Sequence, residues 1–180
     1  SRIAELARER RFPGGDEVFL FKFHGLFYVS PVEEAFMCRL RFAGGQVQAY
    51  QLRGVADLAE RYGHPLVQVT TRSNLQLRGL GAEAAIDVLE GLQDLGIISR
   101  GSGGDAVRNV GASPTAGFDP HELIDALPLA QKAHHRILSD RSLQGVPRKF
   151  TLAFDGGGSV SPLAESCYLG FRAVSVPPGE

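Results

Sequence analysis

The sequence predicts an α+β chain: a ferredoxin-like β-α-β-β-α-β half-domain over residues 18–100, followed from residue 101 by part of a second, α/β unit. Three observations carry that expectation. Two segments alternate apolar and polar residues with period two, and two others repeat apolar residues at helical spacing. Together with two shorter runs rich in Val and Ile they follow in the order strand, helix, strand, strand, helix, strand. The run Gly101-Ser102-Gly103-Gly104 then changes the composition where the second unit begins. With 180 residues, 43% of them hydrophobic and 22% charged, the chain has enough apolar surface to close a core.

Residues 1–17 form a lead-in, short helical or irregular, that turns at Pro13-Gly14-Gly15-Asp16. From Val18 to Val29 the chain is aromatic-rich, with Phe19, Phe21 and Phe23 at period two, and reads as a strand interrupted at Gly25. The strand Phe36 to Phe42 puts Phe36, Cys38, Leu40 and Phe42 on one face and Met37, Arg39 and Arg41 on the other, so two guanidiniums project together. A helix follows from about Val47 to Tyr62, with Gly63 at its C-terminus. Leu66 to Thr71 is a β-rich run. In Asn74 to Leu80, Leu75 and Leu77 alternate with Asn74, Gln76 and Arg78. Ala82 to Leu95 carries an apolar helical stripe stopped by Gly96, and Ile97-Ile98 supplies a short last strand. Residues 101–118 are loop-rich. Asp119-Pro120 reads as an N-cap and first turn of a helix that Pro128 breaks or restarts and that runs to about Asp140. Val146 to Phe154 reads as a strand with Phe150, Leu152 and Phe154 opposite Lys149 and Thr151, and Gly170 to Val176 is strand-like.

Composition removes several functions. A net charge of -1 takes away the global attraction of a non-specific nucleic-acid binder. The longest uncharged stretch, Phe42 to Leu52, contains two glycines and three glutamines, far from a membrane span. Two cysteines, Cys38 and Cys167, make no disulfide framework and point to a reducing, cytoplasmic setting. No metal-ligand set is visible: adjacent helical residues such as His134 and His135 point about 100° apart, and Cys38, alternating with Phe36 and Leu40, is a buried small hydrophobe.

What remains is an unusual distribution of polar groups. Arg39 and Arg41, then Thr71-Arg72 with Asn74, Gln76 and Arg78, then Arg108-Asn109, then Lys149 and Thr151 stand in four separate stretches. A single strand arginine ordinarily faces solvent. Recurrence in four places argues instead for convergence into one arginine-lined cleft for a polyanionic, carboxylate-bearing ligand.

The runs Phe36-Met37-Cys38-Arg39-Leu40-Arg41 before Gly44-Gly45, Thr70-Thr71-Arg72-Ser73-Asn74-Leu75-Gln76-Leu77-Arg78, Val107-Arg108-Asn109-Val110 and Pro147-Arg148-Lys149-Phe150 resemble, in order and spacing, the siroheme-dependent nitrite and sulfite reductases. Within that family, the stretch from Val110 through Ser113-Pro114-Thr115-Ala116-Gly117 and the segment Ala153-Phe154-Asp155-Gly156-Gly157-Gly158 look most like the assimilatory, ferredoxin-dependent nitrite reductases. The resemblance implies a siroheme, a four-iron (4Fe-4S) cluster, reduced ferredoxin or a similar electron donor, and six-electron reduction of nitrite to ammonia. It implies that Arg39, Arg108, Lys149 and Thr151 face the substrate anion. It implies further that Arg41, Thr71, Arg72, Asn74, Gln76, Arg78, Asn109 and Arg148 hold the tetrapyrrole. Thr151 stands where sulfite reductases carry a second lysine and nitrite reductases tend to carry asparagine, which leans away from sulfite. A sulfite reductase or a precorrin-3B synthase relative is the same-fold alternative, and a non-catalytic ferredoxin-like binding module is the alternative from another class. The resemblance places the four cluster cysteines in a C-terminal half, so these residues are expected to be the N-terminal half, inactive alone and partnered by the rest of the protein. Residues 18–100 then correspond to the reductase ferredoxin-like half-domain and residues 101–180 to the N-terminal part of the siroheme-binding, haemoprotein-like domain. No nucleic-acid or membrane partner is expected.

Overall fold

In the computed structural model, which describes residues 1–30, 33–103, 106–143, 145–147, 149–162 and 164–176, two sheets organise the chain. The first holds strands β1 (Leu26–Tyr28), β2 (Phe36–Arg39), β3 (Val67–Val69) and β4 (Leu75–Leu80) in the antiparallel order β1-β2-β4-β3. Helices α1 (Arg2–Arg8) and α2 (Glu17–Phe23) precede it, α3 (Ala49–Tyr62) connects β2 to β3, and α4 (Ala85–Asp94) follows β4. The alternation read in β2 holds, because Phe36, Cys38 and Leu40 are fully buried in one cluster with Leu77 and Leu80 of β4, Val55 and Ala59 of α3, and Val88 and Leu92 of α4. The helices therefore occupy one face of the sheet and leave Arg39, Asn74 and Gln76 to the other. α3 and α4 lie close because glycines stand where they meet: a Cβ on Gly54 would sit 2.5 Å from Leu95, and one on Gly91 would sit 2.8 Å from Leu58.

The second sheet is parallel, with β5 (Val110–Ala112), β6 (Leu152–Asp155) and β7 (Leu169–Arg172) in sequence order. Helix α5 (Leu127–Ser139) links β5 to β6, and its alanine-rich face, Ala126, Ala130 and Ala133, packs on Val110, Ala112 and Leu152. The opposite face of the sheet is built from small residues, Gly111, Ala153 and Gly170, aligned across the three strands.

Several expectations change. Residues 17–23 are helical rather than strand: backbone turns from Gly14, Gly15 and Asp16 start the helix, which buries Phe21 against Phe36 at 5.4 Å between ring centres while Phe19 stays 56% exposed. A strand would have given those aromatics one shared buried face, and no such face exists. Ile97-Ile98 is reduced to a single bridge, Ile98 with Arg41, because β1 takes the place beside β2. The helix expected from Asp119 starts only at Leu127, since the Asp119 carboxylate accepts from the backbone and hydroxyl of Ser159 and from the His121 backbone instead of capping a helix. The loop-rich stretch contains β5, and Gly101 to Gly103 are buried rather than forming an exposed linker. The strand expected from Val146 begins only at Leu152; Phe150 turns back onto Pro147, and Lys149 adopts a left-handed φ of 66°.

The burial pattern makes a graded prediction. Leu77→Ala empties a fully buried site and costs about 2–5 kcal/mol in urea unfolding, whereas Leu52→Ala, at a site 47% exposed on α3, costs less than about 1 kcal/mol.

Candidate functional site

Residues from four stretches meet in one cleft of about 280 Å³ on the free face of the first sheet. Arg39 and Arg41 come from β2 and its extension, and Asn74 and Gln76 from the start of β4, where Gln76 stands directly opposite Arg39. Thr70, Thr71 and Arg72 belong to the β3–β4 turn, and Ser102, Arg108 and Asn109 to the segment that leads into β5. Four guanidiniums line this space, and among the described residues no carboxylate does. Burial, then the neighbouring charges of Arg108, Arg72 and Arg78, push the Arg39 guanidinium below its ordinary pKa. Arg39 is braced by the Phe27 ring, 4.7 Å beneath it, and reaches the Ser102 carbonyl at 3.5 Å. Gathering cations in a half-buried space is costly, and an anion bound among them offsets that cost.

Arg41 and Asn109 do different work from their neighbours. Arg41 is 3% exposed, and its Nη atoms donate to the carbonyls of Gly101, Val107 (2.8 Å) and Arg108 (3.2 Å). Burial, and secondarily Arg108, press its pKa down to about 10. Asn109 answers from the other side: its Nδ2 donates to the carbonyls of Phe42 (2.7 Å), Arg72 (3.0 Å) and Ser73 (3.5 Å). Three carbonyl partners fix the amide's orientation, and leave Oδ1 buried with no hydrogen-bond partner among the described residues. The backbone ladder of β2 is itself extended by a side chain, because the Phe42 N–H donates to Asn74 Oδ1 at 3.3 Å.

A second cleft of about 430 Å³ adjoins the first and shares Thr71, Arg72 and Asn109 with it. Its floor is the small-residue face of the parallel sheet, where a Cβ on Gly111 would already stand 3.3 Å from that of Ala153. Thr151 lines this second space, and its Oγ1 accepts from the Tyr168 N–H at 3.2 Å. Arg78 lines neither cleft; its Nε donates to Gln68 at 2.7 Å and its Nη2 to Gln76 at 3.5 Å, though its charge is felt by Arg39. Lys149 is exposed and lines neither cleft, and Arg148 lies outside the described residues. Sequence reasoning missed Thr70, Phe27 and Ser102. Ser102 was hidden in the glycine run, where Gly103 is needed for packing, since a Cβ there would meet the Phe27 ring at 2.4 Å.

Cys38 is buried as the alternation of β2 predicts. Its thiol is pushed up to about 12 by desolvation. His134 is buried, its pKa pressed down to about 4 by burial, then by Arg41 and His135, while His135 is exposed. No group of three or more His, Cys, Asp or Glu side chains among the described residues is placed to hold a metal ion.

Residues 29–95 match the nitrite/sulfite reductase ferredoxin-like half domain, and residues 103–180 match the nitrite and sulphite reductase 4Fe-4S domain. A ferredoxin–nitrite reductase of Synechococcus elongatus is 38% identical over 162 residues, covering 87% of this chain and 32% of the relative. The assimilatory ferredoxin-dependent nitrite reductase of Haloferax mediterranei is 36% identical over 147 residues, 76% of this chain and 25% of the relative. The chain thus spans about a third or less of the length of these curated relatives. Among solved structures, the Mycobacterium tuberculosis NirA protein shares the fold with a TM-score of 0.68 at 23% identity, over 76% of this chain and 28% of that one. Dissimilatory sulfite reductase I does so at 0.58 and 18%, over 69% and 29%.

Two titrations follow from the buried groups. With a thiol near 12, Cys38 stays unmodified by iodoacetamide in the native protein at pH 8 and reacts after unfolding in urea, as peptide mass spectrometry reads directly. His134 binds its proton more weakly folded than unfolded, so between about pH 6.5 and 4 the unfolded state holds more protons and stability falls as pH is lowered. His134→Gln flattens that fall in urea midpoints measured across the window.

Proposed function

The chain belongs to the nitrite and sulfite reductases, an oxidoreductase family, and on that premise we propose that it is the siroheme-pocket portion of a ferredoxin-dependent nitrite reductase. In this reading residues 18–100 are the ferredoxin-like half-domain and residues 101–180 begin the siroheme-binding domain. The observation that carries it is the cleft in which four guanidiniums converge beside Thr71, Asn74, Gln76 and Asn109. Such a surface suits a macrocycle rimmed with carboxylates, since guanidinium forks grip carboxylates in pairs of hydrogen bonds. The floor of Gly111 and Ala153 beside it carries no large side chain to stand against a planar ring, and Asn109 Oδ1 offers one buried acceptor among donors.

When bound, siroheme supplies the iron that holds the anion and delivers electrons to it, six for nitrite to become ammonia. This chain's residues supply the field and the contacts. Arg72, Asn74, Gln76 and Thr71 hold the tetrapyrrole's polar rim, with Asn109, Arg78 and Arg148 assigned to the same task by resemblance; the resemblance assigns Arg41 there too, but its Nη atoms donate to backbone carbonyls. Arg39 and Arg108 stabilise negative charge on the substrate and, as permanent cations, orient the water that protonates it. Lys149 carries a transferable proton on its ammonium and is placed at the substrate by resemblance, as is Thr151. Thr151 in place of a second lysine, and the names of the relatives, favour nitrite over sulfite.

The four-iron cluster needs four thiolates, and this chain has two cysteines, one of them the inert Cys38. Its ligands therefore belong to a further part of the protein, without which turnover does not occur. Reduced ferredoxin is the proposed donor and the cytoplasm the proposed setting; among the described residues no helix is long and apolar enough to cross a membrane. A single-stranded nucleic-acid binder would present stacking aromatics on this face. Here the Phe27 ring is already covered by Arg39.

The full-length protein purified without added cofactor shows the visible absorption of siroheme and reduces nitrite faster than sulfite. Arg39→Met lowers kcat/KM for nitrite by roughly 10²- to 10³-fold with an unchanged circular dichroism spectrum. A colourless, iron-free protein overturns the cofactor, and faster sulfite turnover overturns the substrate.

A further inference from the structure

We infer that Arg41 is a positioning residue whose planar fork, rather than its charge, sets the anion site by holding the backbone from which Arg108 and Asn109 enter the cleft. The inference deepens the reading above and rests on it for the ligand.

Arg41 is 3% exposed, and both of its Nη atoms donate to carbonyls of one segment: Gly101 at its start, and Val107 and Arg108 at its end. Its Nε is buried with no hydrogen-bond partner among the described residues. Arg108 is the next residue its chain would need to place, and Asn109 the one after. The same short stretch is held on its far side by the Arg108 N–H, which donates to the Phe150 carbonyl at 2.9 Å. Arg41 and the lead-in to β6 therefore pinch residues 107 and 108 between them, and the side chains of Arg108 and Asn109 inherit the direction that this pinch allows.

Three carbonyls held by one side chain require several donors at fixed angles. A guanidinium has them in a rigid plane; an ammonium is a point charge on a flexible stem. No carboxylate among the described residues pairs with Arg41, so backbone dipoles are what balance it. Losing the fork leaves buried carbonyls with nothing to accept from, which loosens the segment even where the positive charge is kept. A direct ligand would behave otherwise: charge would matter most, and the backbone of residues 101–109 would not notice its loss.

The test uses the full-length protein with its cofactor and the variants Arg41→Lys and Arg41→Met. Amide hydrogen exchange on peptides spanning residues 101–109 accelerates on the order of tenfold or more in both, while peptides from α3 are unchanged. Nitrite affinity, read by titrating the cofactor's absorption, weakens on the order of tenfold in both, and KM rises by more than kcat falls. Unchanged exchange overturns the inference. So does recovery of nitrite affinity in Arg41→Lys, which would make charge sufficient, and so does faster exchange with wild-type affinity, which would make the role merely structural. If Arg41→Met does not fold, Arg41→Lys carries the same comparison. Wild-type protein lacking siroheme overturns the preceding functional reading instead, and the exchange result then decides the role of Arg41 by itself.

Discussion

Everything at the cleft depends on a reciprocal exchange of side chain for backbone across one seam. From the first sheet, Arg41 reaches over to three carbonyls of the segment before β5; from that segment, Asn109 reaches back to the carbonyls of Phe42, Arg72 and Ser73. Six carbonyls are thereby paired by two side chains, that of Phe42 also accepting from the Gly45 N–H. Buried backbone acceptors must find donors somewhere, and here the solution also fixes how an antiparallel unit and a parallel one are aligned. The turn that carries Arg72 and the strand that carries Arg39 are locked to the stretch that carries Arg108 before any ligand arrives.

The same seam concentrates charge. Arg39, Arg41, Arg72 and Arg108 share one enclosed space, and the forces on Arg39 and Arg41 are burial followed by repulsion from other arginines. Stability alone would not assemble such a set. The α-helical back of the sheet, with its fully buried Leu77, Val55 and Leu92, supplies the cohesion that allows the front to hold it. Preorganisation of this kind is what an anion site needs, because the cations are already oriented when the anion binds and little rearrangement is left to do.

Much of this was legible in the residues. Period two in Phe36-Cys38-Leu40 named both the buried face of β2 and the opposite face that bears Arg39, and the helical stripes named α3 and α4. Recurrence of polar groups in separate stretches anticipated that Arg39, Arg41, Arg72, Asn74, Gln76, Arg108 and Asn109 would meet. What was illegible has local causes. Phe19, Phe21 and Phe23 fit a strand as well as a helix, and only the turn at Gly14 to Asp16 decides between them. The glycines near residue 101 look like a linker because composition cannot tell a flexible glycine from one that a neighbouring ring excludes from growing. Lys149 was misplaced on a strand because its positive φ breaks the alternation that would have carried it to the cleft face. Nor could spacing reveal that the Nη atoms of Arg41 reach backbone carbonyls.

β7 is exposed at all four of its residues, although it belongs to a parallel sheet, a kind ordinarily covered on both sides. Such a strand gains little from its own packing and borrows its order from whatever comes to rest on it. During synthesis on the ribosome, the antiparallel unit can close its core from residues already made, while the parallel unit stays provisional and sticky.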